Sequence, residues 1–474
     1  MLGSDYVGYD MIGLANLIRT RQIGEEELLE FVIERIEEFN PKLNAVNHKF
    51  YDRARIQIKH GTAAGPFQGV PFLLKDLGSD YAGTPITNGS QIFKGYVSTF
   101  SSAVVDRYVR SGLVIVGRTT SSEMGLGGYT ETQLDGPTQN PWKAGYSAGG
   151  SSGGAGAVVA ARILPAAHGS DAGGSIRVPA GWCGVFGLKP SRGLVPNGPG
   201  KGEGLGNFMH HALSVSVRDN AALLDAITSN DSGASYHVRQ PSRPLLEEVG
   251  IAPGRLRIGF VKDAEGVEMS ADARAAIDQT AKLCEKLGHY VEYVKWPVPL
   301  EQWWQSQRVV SASDTHFRIA SFEAQTKRTV VEGDLDRWTW FSYQAGKSVT
   351  AAALLQALAA MQSLTRRFNQ SFGNYDVIAA PTACRSAMKL GTIGMLPDLQ
   401  SIHDYQRQSH PFTSIFNWAG APAMSVPLFW TSEGLPLGLQ FGGAWGRDDV
   451  LFRLAGQLEV AVPWSHRRPP TAVG

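Results

Sequence analysis

The sequence predicts an α/β fold built on a large mixed, mostly parallel central sheet with helices on both faces. Three observations predict it. Short, continuously apolar runs such as GVPFLLK (69–75) and LVIVGRT (113–119) suit strands buried on both faces. Stretches with helical spacing lie between such runs, so strands and helices alternate along the chain. Hydrophobic residues make up 43% of the 474 residues and charged residues 18%, which suits a large buried core and argues against disorder.

The elements follow in order. Residues 10–40 read as helix, with Leu28, Leu29, Val32, Ile33, Ile36 and Phe39 on one face. Glu25, Glu26 and Glu27 favour its N-terminal end, and Pro41 ends it. AVVDRYVRSG (103–112) reads as a helix that leads into the strand at 113–119. GGAGAVVAARI (153–163) reads as a helix opening directly from a glycine loop. RLRIGFV (255–261), a helix over 271–288 and YVEYVKW (290–296) form a βαβ pattern. Residues 299–373 look helical and carry Trp303, Trp304, Trp338, Trp340, Phe341 and Tyr343. YDVIAAP (375–381) and APAMSVPLF (421–429) read as strands that rejoin the first sheet. The weakest point for a boundary is 229–244, and one elaborated domain over 1–474 is the preferred organisation.

Composition excludes several roles. The formal net charge is +1 and no run of five like charges occurs, so neither nucleic acid nor a membrane surface finds an electrostatic partner. Cys183, Cys284 and Cys384 are too few and too scattered for a disulfide framework or a zinc cluster, and they point to a reducing compartment, the cytoplasm. The first residues lack the pattern of a signal peptide, and no stretch is apolar enough to span a membrane.

Glycine, at 54 residues, concentrates between Gly125 and Gly206. There AGGSSGGA (148–155) is echoed by DAGGSIR (171–177). A phosphate cradle would need a lysine or an acidic partner at set spacing, and neither is present. A tight turn between strand and helix is the plain alternative. The third reading is a hydroxyl held for chemistry. Glycines before Ser175 let the N–H groups of Ala172, Gly173, Gly174 and Ser175 form a nest for a developing oxyanion. A serine nucleophile also needs a base. His168 lies near in sequence, although a buried structural histidine is the commoner case. Lys75 ends an apolar run, where desolvation would favour the neutral amine, although a surface lysine is commoner at a strand end.

Together, GVPFLLKD, NPWKAGYSAGGSSGG, GSDAGGSIRVPAGWCGVFGLKPSRG and PFTSIFNWAGAPAMSVPLFWTSEGLPLGLQFGG resemble the amidase signature family of serine hydrolases. The resemblance covers roughly 10–228 and 374–464. It implies one amidase domain over 1–474: N-terminal helices 10–40, a catalytic core 65–228, a variable helical pocket region 299–373, and C-terminal strands 374–464. It also implies a Ser–cis-Ser–Lys unit. Ser175 takes the nucleophile's place, Ser151 after a cis Gly150–Ser151 bond takes the bridge's, and Lys75 the base's. No metal or organic cofactor is required. Around this unit, Ser152 is expected to bond within its loop, Asp171 and Arg177 to pair across the nest, and Cys183 to be a buried structural thiol. The chain has DAGG where the family often has DTGG or DIGG, and Ala172 still offers its N–H.

The expected pocket walls are 125–136, 204–212 and the aromatic helices, with Trp303, Trp304, Trp338, Trp340 and Phe341 as candidates to clasp substrate. The text of the motifs is similar to bacterial acylamidases, including those that open nylon-type cyclic amide dimers. The expected activity is hydrolysis of an aryl, alkyl or cyclic amide, or of a carbamate as in a urethanase. The alternatives are the glutamine amidase subunit of a tRNA-dependent amidotransferase and a non-catalytic binding homologue. The expected partner is a small-molecule amide, and the family carries the expectation of a homodimer.

Overall fold

The structure, a computed structural model, describes residues 3–199, 205–228, 233 and 238–470. Two sheets organise it. The smaller holds β1 (Val46–Lys49), β2 (Pro71–Lys75) and β3 (Val114–Thr119) in the order β1-β3-β2, with β2 and β3 parallel. The larger takes β4 (Ala166–Asp171), β5 (Phe186–Lys189), β6 (Met209–Ser214), β7 (Arg257–Val261), β8 (Tyr290–Val294), β9 (Val377–Pro381), β10 (Ala423–Trp430) and β11 (Pro436–Gly443). Its spatial order is β8-β7-β9-β11-β10-β5-β6-β4, so the C-terminal strands do rejoin strands from the first half.

The fold is mixed α/β, as the sequence predicts, but the large sheet is mostly antiparallel. Only β7–β8 and β7–β9 run parallel. The ladders from β9 through β11, β10, β5 and β6 to β4 are antiparallel. Strands β10 and β11 are joined by a connection too short for a crossover, and such a link permits only antiparallel pairing. Besides β1 of the small sheet, four strands of the large one (β4, β5, β6 and β11) escaped the sequence reading. They are glycine-rich or carry buried polar residues, which hides the apolar pattern.

The helices follow the apolar spacing. Residues 10–40 form two helices: α1 (Met11–Arg19), capped by Asp10 accepting from Gly13 N, and α2 (Glu25–Leu43). Between them Arg21 takes a left-handed φ of 57°. Pro41 lies inside α2 rather than ending it. The helix stops at Asn44 instead, with φ 50°, and the Asn40 side chain holds the exit through Ala45 N, Val46 N and Val46 O. Then come α3 (Ala103–Arg110), α4 (Gly153–Ala160), α5 (Arg177–Cys183) and α6 (Ala271–Lys286). Residues 299–373 supply α7 (Leu300–Thr326), α8 (Arg337–Gly346) and α9 (Ala351–Gln370), and α10 (Leu399–Ser409) and α11 (Asp448–Ala461) follow. Among the described residues no single helix is long and apolar enough to cross a membrane. Most of the 229–244 boundary stretch lies outside the described residues.

Strand β11 shows that helices cover both faces. A Cβ at Gly438 would meet Gly181 of α5, and one at Gly443 would approach Leu451 of α11. Positions five apart on a strand point to opposite faces. At Gly442 the sheet is closed by Phe416: an added Cβ would sit 1.9 Å from the ring. Phe416 is buried among Trp296 and Phe368, so it has little room to move. Gly442→Ala is expected to cost about 1–3 kcal/mol by overpacking. Urea unfolding checks it beside Gly250→Ala, where the added methyl meets nothing and stability should be unchanged.

Candidate active site

The two sheets meet edge to edge. Strand β2 ends the small sheet, β4 ends the large one, and no backbone ladder joins them. Lys75, the last residue of β2, closes the seam and is fully buried. Its Nζ lies 2.7 Å from Ser151 Oγ, 3.1 Å from Ser170 Oγ and 3.3 Å from Ser170 O. Its backbone N–H donates to His168 Nδ1 at 3.1 Å. His168 and Ser170 are two apart on β4, so strand periodicity turns both to the same side, where they reach Lys75. Asp171 points the other way.

Ser151 follows a cis Gly150–Ser151 peptide in the loop that opens α4. Ser152 does not bond within its own loop, as expected from sequence, but ties the two glycine loops together. Its N–H donates to Ser175 O at 3.2 Å, and its hydroxyl meets Ser170 O at 3.3 Å. Alternation along β4 aims Ser170 at both partners, which no loop-internal reading anticipates.

Asp171 organises the second loop. Its carboxylate accepts from Gly174 N at 2.7 Å and Ile176 N at 3.1 Å. Arg177 donates to both carboxylate oxygens, at 3.0 and 2.9 Å, and both residues are fully buried. The remaining Arg177 donors go to Thr413 O, Gln440 Oε1 and Asn417 Oδ1, and Asn417 Nδ2 returns to Asp171. Burial opposes ionisation of Asp171, but Arg177 and Asn417 outweigh it and hold the carboxyl well below the usual range. The Gly174 N–H is therefore committed to Asp171, which narrows the expected four-amide nest to Ala172, Gly173 and Ser175. Gly174 has φ 135° and a Cβ there would strike Thr413, so only glycine fits.

Ser151, Ser170, Ala172, Gly173, Gly174 and Ser175 line one cavity of about 610 Å³. The amidase family profile matches residues 27–452. The chain belongs to the amidase signature family. It is a hydrolase acting on amide bonds. It is 34% identical over 476 residues to a 6-aminohexanoate-cyclic-dimer hydrolase of Pseudomonas sp. (strain NK87), covering 97% of this chain and 96% of that protein. Among solved structures, a 6-aminohexanoate cyclic dimer hydrolase superposes with a TM-score of 0.93 at 33% identity, over 98% of this chain and 99% of that one. A bacterial aryl acylamidase superposes with a TM-score of 0.87 at 25% identity, over 96% and 97%.

The cavity of this amidase uses some of the expected walls. Gly125–Gly128 and Leu205–Phe208 line it, while Gly204 lies outside the described residues. Of the five candidate aromatics, Trp304 and Trp338 line it. Trp303 is buried and donates to Ser414 Oγ, and Trp340 and Phe341 pack in apolar clusters beside the cavity without lining it. Helical spacing alone does not say which face of α7 or α8 a tryptophan occupies. Phe317 and Trp418 are wall residues that the sequence did not single out. His403 and His410 also line the cavity, and burial pushes both imidazoles down to about 4, so they are neutral near pH 7. Cys183 is buried, its thiol pushed up by burial and directed at Ala148 O. Among the described residues no group of three or more His, Cys, Asp or Glu is arranged to hold a metal.

Removing one member of the Asp171–Arg177 pair strands the other charge in the core. Arg177→Met and Asp171→Asn should each cost about 3–5 kcal/mol, and the double variant less than the sum. Because the folded pKa of Asp171 is depressed, the pair's contribution is full above the ordinary carboxylate range and lost as pH falls below it. The urea midpoints of wild type and Asp171→Asn should therefore converge on acidification.

Proposed function

We propose that the chain hydrolyses carboxylic amides through an acyl-enzyme on Ser175, with Ser151 and Lys75 as its proton relay. The observation that carries this reading is the 2.7 Å approach of buried Lys75 Nζ to Ser151 Oγ, beside a cavity that Ser151 and Ser175 both line. Burial disfavours the ammonium form of a lysine. In the neutral amine, two N–H groups donate to Ser170 Oγ and Ser170 O, and the lone pair faces the Ser151 hydroxyl.

The relay then follows. Ser151 gives its proton to Lys75 Nζ as it takes one from Ser175 Oγ. Ser175 Oγ bonds to the amide carbon, and the carbonyl oxygen takes the negative charge. Asn207 Nδ2 holds Ala172 O at 3.1 Å, and within that peptide the Gly173 N–H points the opposite way. This supports Gly173 as an oxyanion donor, joined by Ala172 and Ser175. Collapse breaks the C–N bond, and the proton returns through Ser151 to the leaving amine. Water then adds to the acyl carbon and gives a proton to the same relay; the C–Oγ bond breaks, Ser175 Oγ takes that proton back, and the acid leaves.

The substrate is a neutral alkyl, aryl or cyclic amide, including oligomers of an ω-amino acid, and a carbamate fits the same chemistry. The likeness to the cyclic-dimer hydrolase and the aryl acylamidase supports this range, as do Trp304, Trp338, Phe208 and Phe317 in the walls.

A fluorophosphonate should label the protein at Ser175. Ser175→Ala should abolish labelling and lower kcat at least about 10³-fold. Labelling that persists in the variant contradicts the assignment. A panel of anilide, linear amide, cyclic amide, carbamate and glutamine reads the substrate class.

A base that must be neutral loses activity as pH falls, so kcat/KM should drop on the acid side. His168, His403 and His410 are held below the ordinary imidazole range by burial and do not produce this limb near neutrality. Lys189, brought down to about 7 by burial and by Arg177, competes, as do Asp336 and Glu459, raised by burial to about 8 and about 7. An acid limb that survives in Lys189→Met, Asp336→Asn and Glu459→Gln assigns it to Lys75, and one that vanishes in any of them overturns the assignment.

A further inference from the structure

The seam between the sheets is bridged by side chains: His168 takes the Lys75 N–H, and Lys75 Nζ reaches Ser170. Strand β2 pairs with β3 along one edge only, so its other edge turns a row of N–H and C=O groups toward β4. A fully buried N–H with no acceptor would cost about 1–3 kcal/mol. At Lys75 the acceptor is His168 Nδ1, at 3.1 Å. An N–H can only donate, so Nδ1 is unprotonated and the ring proton sits on Nε2, which faces His210 Nδ1 at 3.1 Å. The ring is fixed on two further sides: it stacks on His210 at 5.2 Å and takes the edge of Tyr108 at 5.9 Å. Burial disfavours a second proton, so the acceptor persists.

We propose that His168 is a positioning residue for the Lys75 base. By accepting the Lys75 N–H across the seam, it fixes the end of β2 against β4 and with it the approach of Nζ to Ser151 Oγ. Ser170, two residues along the same strand, holds Nζ itself, so β4 grips Lys75 at both ends: main chain at His168, side-chain tip at Ser170. His168 touches neither the cavity nor the reacting atoms, and its effect passes wholly through Lys75. The proposal rests on the relay reading given above.

The test is a kinetic series on one amide substrate that wild type turns over. In His168→Leu the acceptor is gone. In His168→Asn the side-chain amide places a heteroatom where Nδ1 stood, whereas in His168→Gln it lies nearer Nε2. The expected result is a fall in kcat of about 10–100-fold for His168→Leu, with KM within about twofold, because a misplaced base leaves binding intact. His168→Asn should return kcat to within about threefold of wild type and exceed His168→Gln. A pure filling role predicts loss of thermal stability in proportion to volume, no such split, and no preference for Asn. Full activity in His168→Leu, a change confined to KM, or Gln at least as good as Asn would overturn the proposal. If the leucine variant does not fold, the order of Asn and Gln decides alone. Ser175→Ala, run beside the series, separates the two ideas: an active Ser175→Ala defeats the relay reading, whereas an inactive one with an unaffected His168→Leu defeats only this inference.

Discussion

A carboxylate with no access to water must be satisfied on every lone pair, and the rest of the site depends on how this chain meets that demand at Asp171. Five donors converge on it: two backbone N–H groups of its own loop, two from Arg177 and one from Asn417. Those donors come from three places in the sequence. The loop that carries Ser175, the helix that starts at Arg177 and the segment Thr413–Asn417 are therefore fixed together by one charge. Charge pairing of this kind is a poor route to stability compared with apolar packing, yet it is strict about geometry. The price of the buried ion is offset by a loop with one shape.

The residues proposed to carry the chemistry were legible because the chain spells them in contiguous, glycine-bracketed runs. Lys75, Ser151 and Ser175 could be named from text alone; Ser151 and Ser175 line one cavity, and Lys75 Nζ lies behind it against Ser151 Oγ. Ser170 was not named, although it sits between Asp171 and His168 in the same run. A serine looks ordinary in a sequence, and only the period of two along β4 shows that it shares a face with His168. His168 was read as a structural histidine or a distant candidate base. Its contact with a backbone N–H of another sheet has no sequence signal at all.

The sheet was partly legible. The runs at β2, β3, β7, β8, β9 and β10 were marked as strands, and the βαβ pattern correctly suggested the parallel β7–β8 pair. Strand β11 reads PLGLQFGG, in which three glycines and a glutamine conceal a fully buried strand. Gly438 and Gly442 are there because β10, α5 and Phe416 press on the strand, and the glutamine because Arg177 needs an acceptor. Function has overwritten the pattern that would have announced the strand, and the missing strands were the ones that make the sheet antiparallel. The pocket aromatics failed for a different reason: a long helix with tryptophans on several faces buries some and opens others, and composition cannot choose.

The seam between β2 and β4 has a mechanical meaning. Within each sheet a ladder of backbone bonds resists sliding. Across the seam only side chains hold register: a histidine, a lysine and a serine. A small shear of one sheet against the other would lengthen the Lys75–Ser151 contact while every ladder stayed whole. The proposed proton path is thus also a strain gauge, reporting the alignment of two sheets that share no strand.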